Sequence, residues 1–122
     1  MTIKEMASPS VVKPVATERV IDRSMRARQL ASTVRQGRKI CFFILDEDPI
    51  EGYLAGWDDD TYFVVYPYNK NEVCKELLPK SSILKIFLFD TSTFREEALY
   101  EEMNKIVRPF RDMINATYFQ AE

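Results

Sequence analysis

The chain has 122 residues, a formal charge of −2, no histidine and two cysteines, and 46% of it is apolar. That is material for one packed core rather than two. The missing histidine excludes Ser-His and Cys-His nucleophile pairs, and Cys41 and Cys74 alone make neither a zinc site nor a disulfide framework.

Residues 1–16 read as a flexible N-terminal tail, because Pro9, Ser10 and Pro14 interrupt any helical period. Residues 17–36 read as a helix with Thr17 as N-cap, Glu18 in the first turn and Gly37 at C′. Val20, Met25, Ala27, Leu30, Ala31 and Val34 recur near the helical period. Arg19, Arg23, Arg26, Arg28 and Arg35 fall largely off that stripe, and the first three share one face. Residues 1–39 carry nine basic and three acidic side chains, whereas the remainder carries eight and sixteen. A basic head on an acidic body implies either a localised anion-binding surface or a contact between head and body. Guanidinium groups favour bidentate contacts with phosphate or carboxylate.

Residues 39–89 change texture. Lys39–Leu45, Ile50–Trp57, Tyr62–Tyr66, Val73–Leu78 and Ile83–Phe89 read as five short strands, separated by Asp-, Pro- and Asn-rich turns. Gly52 and Gly56 within the second strand predict a sharp bend or a close backbone approach. The whole predicts a small meander that bends into an open barrel. Seven acids and no base lie within residues 46–60, without the spacing of an EF-hand loop. Residues 93–119 read as a helical extension: Thr93 and Glu96 have capping-box spacing, and Phe94, Ala98, Leu99, Met103, Ile106, Val107 and Phe110 form one stripe. Pro109 predicts a kink or a second short helix.

The arginine-bearing helix, the five strands and the string Gly52-Tyr53-Leu54-Ala55-Gly56-Trp57-Asp58 together resemble the Sm-like family, closest in layout to bacterial Hfq. The resemblance spans about residues 17–89. It implies a mainly β fold: an N-terminal helix, a strongly bent open barrel of five strands and, here, a C-terminal helical extension. The domains are then a tail over 1–16, an Sm-like domain over 17–91 and the extension over 92–122. It further implies a homo-oligomeric ring of six or seven copies, closed by pairing the fourth strand of one subunit with the fifth of the next. Gly52, Gly56, Trp57 and Asp58 are the structural motif. In the second motif Lys80 matches the family lysine, while Ser81 stands where Hfq has histidine and Pro79 where it has an aromatic residue.

The resemblance implies single-stranded RNA as partner, U-rich favoured over A-rich because acids crowd the first hairpin. Arg23, Arg26, Arg35 and Arg38 are the expected phosphate contacts, and Lys80, Ser81 and Tyr62 a secondary pore-side site. The expected function is a non-catalytic RNA scaffold or chaperone. The alternative is a structural or adaptor oligomer that uses the C-terminal helix for protein partners. No enzyme, cofactor or metal site is expected. No run approaches 18 apolar residues and the N-terminus lacks a signal-like core, so the expected setting is cytoplasmic.

Overall fold

The structure, a computed structural model, describes residues 18–22 and 25–119. The tail over 1–16, Thr17, Arg23 and Ser24 lie outside the described residues. The elements are β1 (Glu18–Asp22), α1 (Ala27–Gln36), β2 (Arg38–Ile44), β3 (Ile50–Trp57), β4 (Thr61–Pro67), β5 (Val73–Pro79), β6 (Ile83–Ser92) and α2 (Tyr100–Tyr118). Single 3-10 turns occupy Lys80–Ser82 and Phe94–Glu96. All strands belong to one open antiparallel sheet in the order β1-β6-β2-β3-β4-β5. The five strands expected from sequence are β2 to β6, and the fold is mainly β with a helix on either side. No helix among the described residues is long and apolar enough to cross a membrane.

The sixth strand corrects the expected helix over residues 17–36. Glu18–Asp22 is extended and pairs with β6, Glu18 opposite Phe89 and Asp22 opposite Lys85. Adjacent Val20 and Ile21 are β-branched, and an otherwise unpaired β6 edge supplies a ladder of backbone partners. Tertiary pairing therefore overrides the helical period that the arginines suggest. The helix begins only at Ala27. It stops where expected, at Gly37, whose φ of 64° is left-handed and whose N–H reaches the Val34 carbonyl at 3.2 Å.

Strand registers place Ile40, Phe42, Gly52, Leu54, Tyr62, Val64, Leu78, Ile86 and Leu88 on one face. Apart from the glycine, all are buried apolar side chains, and Met25, Leu30, Ala31 and Val34 of the α1 segment join the same core. Register shifts at Arg38/Ile40, Phe43/Ile44 and Leu54/Gly56 break the flat ladder, and such bulges bend and twist a sheet locally.

β3 is buried on both faces from Gly52 to Gly56. The two glycines have different tasks. A Cβ on Gly52 would stand 2.5 Å from the Val65 carbonyl oxygen and 2.8 Å from the Tyr66 Cβ, so only glycine permits that backbone approach. At Gly56 the nearest atom to an added Cβ is Phe110 Cδ1 of α2, at 3.4 Å. The missing side chain is what seats α2 on the second face of the sheet. There Phe110 meets Phe63 edge-on with centroids 5.4 Å apart.

The C-terminal segment also departs from expectation at its start. Thr93 precedes a 3-10 turn, with Glu96 N–H to its carbonyl at 3.0 Å, and the α-helix opens only at Tyr100. Tyr53 anchors this junction: its hydroxyl donates to Glu97 Oε2 at 2.6 Å and lies 2.7 Å from Thr93 Oγ1. Lys39 Nζ lies 3.6 Å from the same Glu97 carboxylate. Burial first, then the Glu97 carboxylate, hold the Tyr53 hydroxyl well above the usual tyrosine range. α2 continues through Pro109 as one helix. Pro109 is exposed, as is Lys105, whose carbonyl is the one left without its helical donor.

The two glycines predict a graded response. Gly52→Ala forces β3 and β4 apart and is expected to cost about 2–3 kcal/mol, at the upper end of ordinary overpacking. Gly56→Ala meets a movable ring and is expected to cost less than about 1.5 kcal/mol. Urea unfolding of both variants checks the order.

Candidate nucleic-acid interface

α1 is built to show arginine. Its buried residues are Leu30, Ala31, Thr33 and Val34, and its first turn holds no acid. Before its start, the Arg26 backbone N–H donates to Gln29 Oε1 at 3.0 Å, closing one orphan donor of the helix end. Arg26, Arg28 and Arg35 are exposed. Among the described residues no carboxylate pairs with any of the three.

Two of these arginines are organised by the end of α2. Arg28 Nη1 donates to the Tyr118 carbonyl at 3.1 Å, and its Cζ lies 5.6 Å from the Phe119 ring centroid. Arg35 Cζ lies 4.3 Å from the same centroid. Stacking on an aromatic face fixes a guanidinium plane while leaving N–H donors for an anion. Beside Arg35 is a shallow depression of about 370 Å³ lined by Arg35, Asn115, Ala116 and Phe119. Asn115 has a buried side-chain oxygen without a hydrogen-bond partner. The cluster thus combines two oriented cations and an aromatic ring.

The remaining expected site residues are placed differently. Arg38 is not displayed: Nε donates to the Phe89 carbonyl at 2.6 Å and Nη2 to Asp90 Oδ1 at 2.7 Å, with the side chain 13% exposed. Lying at the start of β2 beside the end of β6, it clamps those strands. Tyr62 offers no stacking face, because its ring is fully buried against Phe42, centroids 5.2 Å apart. Burial pushes the Tyr62 hydroxyl up, against the lowering effect of the Met25 backbone hydrogen bond. Register explains this: Tyr62 sits on the core face opposite Leu78. Lys80 Nζ covers the same ring at 5.1 Å, and Ser81 is exposed beside it. Tyr62, beneath Lys80, hydrogen-bonds the Met25 backbone next to Arg26, and Arg23 lies outside the described residues.

Asp58 belongs to a turn. Its Oδ1 accepts the N–H groups of Asp60 and Thr61, both at 2.8 Å, and the Thr61 hydroxyl at 2.9 Å. Those hydrogen bonds, the Asp60 N–H foremost, hold its carboxyl below the usual range, with a smaller contribution from Lys80. The acids of residues 46–48 occupy the preceding hairpin turn, where Asp46 has a left-handed φ of 61°. Among the described residues no three His, Cys, Asp or Glu side chains converge to hold a metal.

Arg28, Asn115 and Phe119 were not singled out by the sequence. Arg28 and Arg35 do stand seven residues apart, two helical turns, which is the one local signal for a shared face. Nothing local signals that Phe119 meets them. No protein-family model matches the chain, and neither does any curated protein.

The Asp58 turn has a defined pH dependence. A carboxylate whose folded pKa is depressed adds stability above its unfolded value, and that increment is lost as pH falls through the folded value. Asp58→Ala is therefore expected to lower the urea midpoint at pH 7 and to converge on the wild type well below pH 4. Paired unfolding curves at the two extremes check the sign.

Proposed function

We propose that this protein is a non-catalytic, Sm-like scaffold for single-stranded RNA, and that it holds the strand on the arginine side of α1 rather than at the Lys80 turn. The observation that carries this reading is the convergence of Arg28 and Arg35 on Phe119. Guanidinium groups bind phosphate bidentately. An extended single strand follows a convex helix surface more readily than a duplex does.

The succession of one helix and five antiparallel strands, with glycines at the bend of the second, supports the Sm-like resemblance. The occupied β6 edge bears on the ring that the resemblance implies. Within the chain β1 occupies the β6 edge, which goes against the fourth-to-fifth strand closure that the resemblance implies. Lys80 and Ser81 remain a secondary contact, weakened by position: the Lys80 backbone N–H bonds the Asp60 carbonyl at 2.8 Å, next to three consecutive aspartates. Like-charged carboxylates there repel a phosphate backbone.

Fluorescence anisotropy with U-rich, A-rich and mixed oligoribonucleotides at two salt concentrations tests this reading. Binding is expected to fall steeply with salt, as counterion release requires. Replacing Arg26, Arg28 and Arg35 by alanine together is expected to reduce the log–log salt slope by about 2, at about 0.7 per single-strand phosphate contact. Lys80→Ala is expected to change it less. Absence of binding at low salt, or an unchanged slope in the triple variant, rejects the assignment.

A further inference from the structure

We propose that the groove between α2 and the β3–β5 part of the sheet binds a small organic cation with an apolar body, an alkyl- or arylammonium ion. The groove has a volume of about 590 Å³, within the range of small-molecule sites. Four of its lining residues are aromatic: Trp57 of β3, Phe63 of β4, and Phe110 and Tyr118 of α2. Leu77 and Met113 also line it and are 64% and 59% exposed, so its apolar surface opens to solvent. Among the described residues that line the groove, Asp58 is the only charged one.

Walls and charge select the same sign. An aromatic face carries the negative part of the ring quadrupole and attracts a cation. Trp57 and Tyr118 meet at a tilt of 41°, and Phe63 and Phe110 edge-on at 71°. Neither pair is stacked in parallel, and all four residues are only half-buried, so part of each ring stays accessible. The Asp58 carboxylate adds a full negative charge. Its Oδ1 accepts three hydrogen bonds within the turn, which hold the carboxyl below the usual range and keep it ionised at neutral pH. Asp59 and Asp60 follow it, both exposed. Lys80, the base that acts on Asp58, has its ammonium over the Tyr62 ring, which belongs to the core face and not to the groove.

The apolar body is required as much as the charge. A metal ion needs several oxygen ligands, and among the described residues no three His, Cys, Asp or Glu side chains converge on one point. A bare ammonium gains little from ring and alkyl walls. An ammonium that carries alkyl or aryl groups buries them there, and that burial adds to the attraction of the rings and of Asp58. The same field repels phosphate, so the groove is separate from the arginine side of α1 and does not rest on the RNA reading.

Trp57 is the chain's only tryptophan, so its fluorescence reports occupancy of the groove. The probes, titrated into the full chain, are benzyltrimethylammonium, N,N-dimethylbenzamide as a neutral molecule of similar shape, and phenylacetate as an anion. Benzyltrimethylammonium is expected to change Trp57 emission saturably at millimolar concentration or below, the range for a ligand of this size. It is expected to bind about tenfold more tightly than the amide, and phenylacetate is expected not to bind. Asp58→Asn keeps an acceptor for the turn and is expected to reduce that preference to about threefold, the share of the rings. Thr117→Lys sets a fixed cation at an exposed lining position and is expected to abolish binding of the ammonium, with the circular dichroism spectrum unchanged. No saturable change in the wild type overturns the proposal. So does equal binding of the amide, the result expected of an apolar groove without charge selection. So does undiminished binding of the ammonium by folded Thr117→Lys. If Asp58→Asn unfolds, the wild-type preference and Thr117→Lys decide the matter.

Discussion

The seat that Gly56 leaves for Phe110 determines where the far end of the molecule goes. α2 lies on the second face of β3 and β4, where Gly56 leaves Phe110 an unobstructed seat. Phe110 then fills the space against Phe63, and Met103, Val107 and Ile114 bury the rest of the helix face. Burial of each large apolar side chain contributes about 1.5–3 kcal/mol, so these contacts outweigh the backbone bond lost at Pro109. With its axis fixed, α2 delivers Tyr118 and Phe119 to the arginines of α1. The basic cluster thus depends on how α2 packs against a distant pair of strands.

The strands from residue 39 to 89 were legible because their signals are local: β-branched and aromatic runs, separated by turn residues whose side chains cap their own backbone. Asp58, binding two N–H groups of its own turn, is an instance. Gly37 was legible for the same reason. β1 was not legible. Its five residues carry an arginine at helical spacing from Arg23 and Arg26, and the competing signal is an edge of β6 some seventy residues away. Tyr62 and Arg38 were misjudged through register. Which face of a strand a tyrosine takes, and whether an arginine meets an acid from another strand, depend on pairings that no local pattern encodes.

Charge separation along the chain translates only partly into charge separation in space. Arg38 and Lys39 belong to the basic head by sequence, yet both are held by acids of the body, Asp90 and the pair Glu51 and Glu97. The head-to-body contact and the anion-binding surface are therefore not exclusive readings. β2 serves the first, and α1 keeps the second open.

The acids also limit the path of an anionic strand. Trp57 packs on Tyr118 with centroids 6.0 Å apart, and Asp58 follows Trp57 directly. The carboxylates of the β3–β4 turn therefore adjoin the same end of α2 that receives Arg28. Within the 8 Å or so over which exposed charges act at physiological salt, the phosphates of the proposed RNA would be drawn towards α1 and turned away from this hairpin. The course of a strand bound as proposed would be set as much by repulsion from Asp58, Asp59 and Asp60 as by attraction to arginine. On the proposed reading it would run along the Arg28–Arg35 side of α1, with the acidic turn as its boundary.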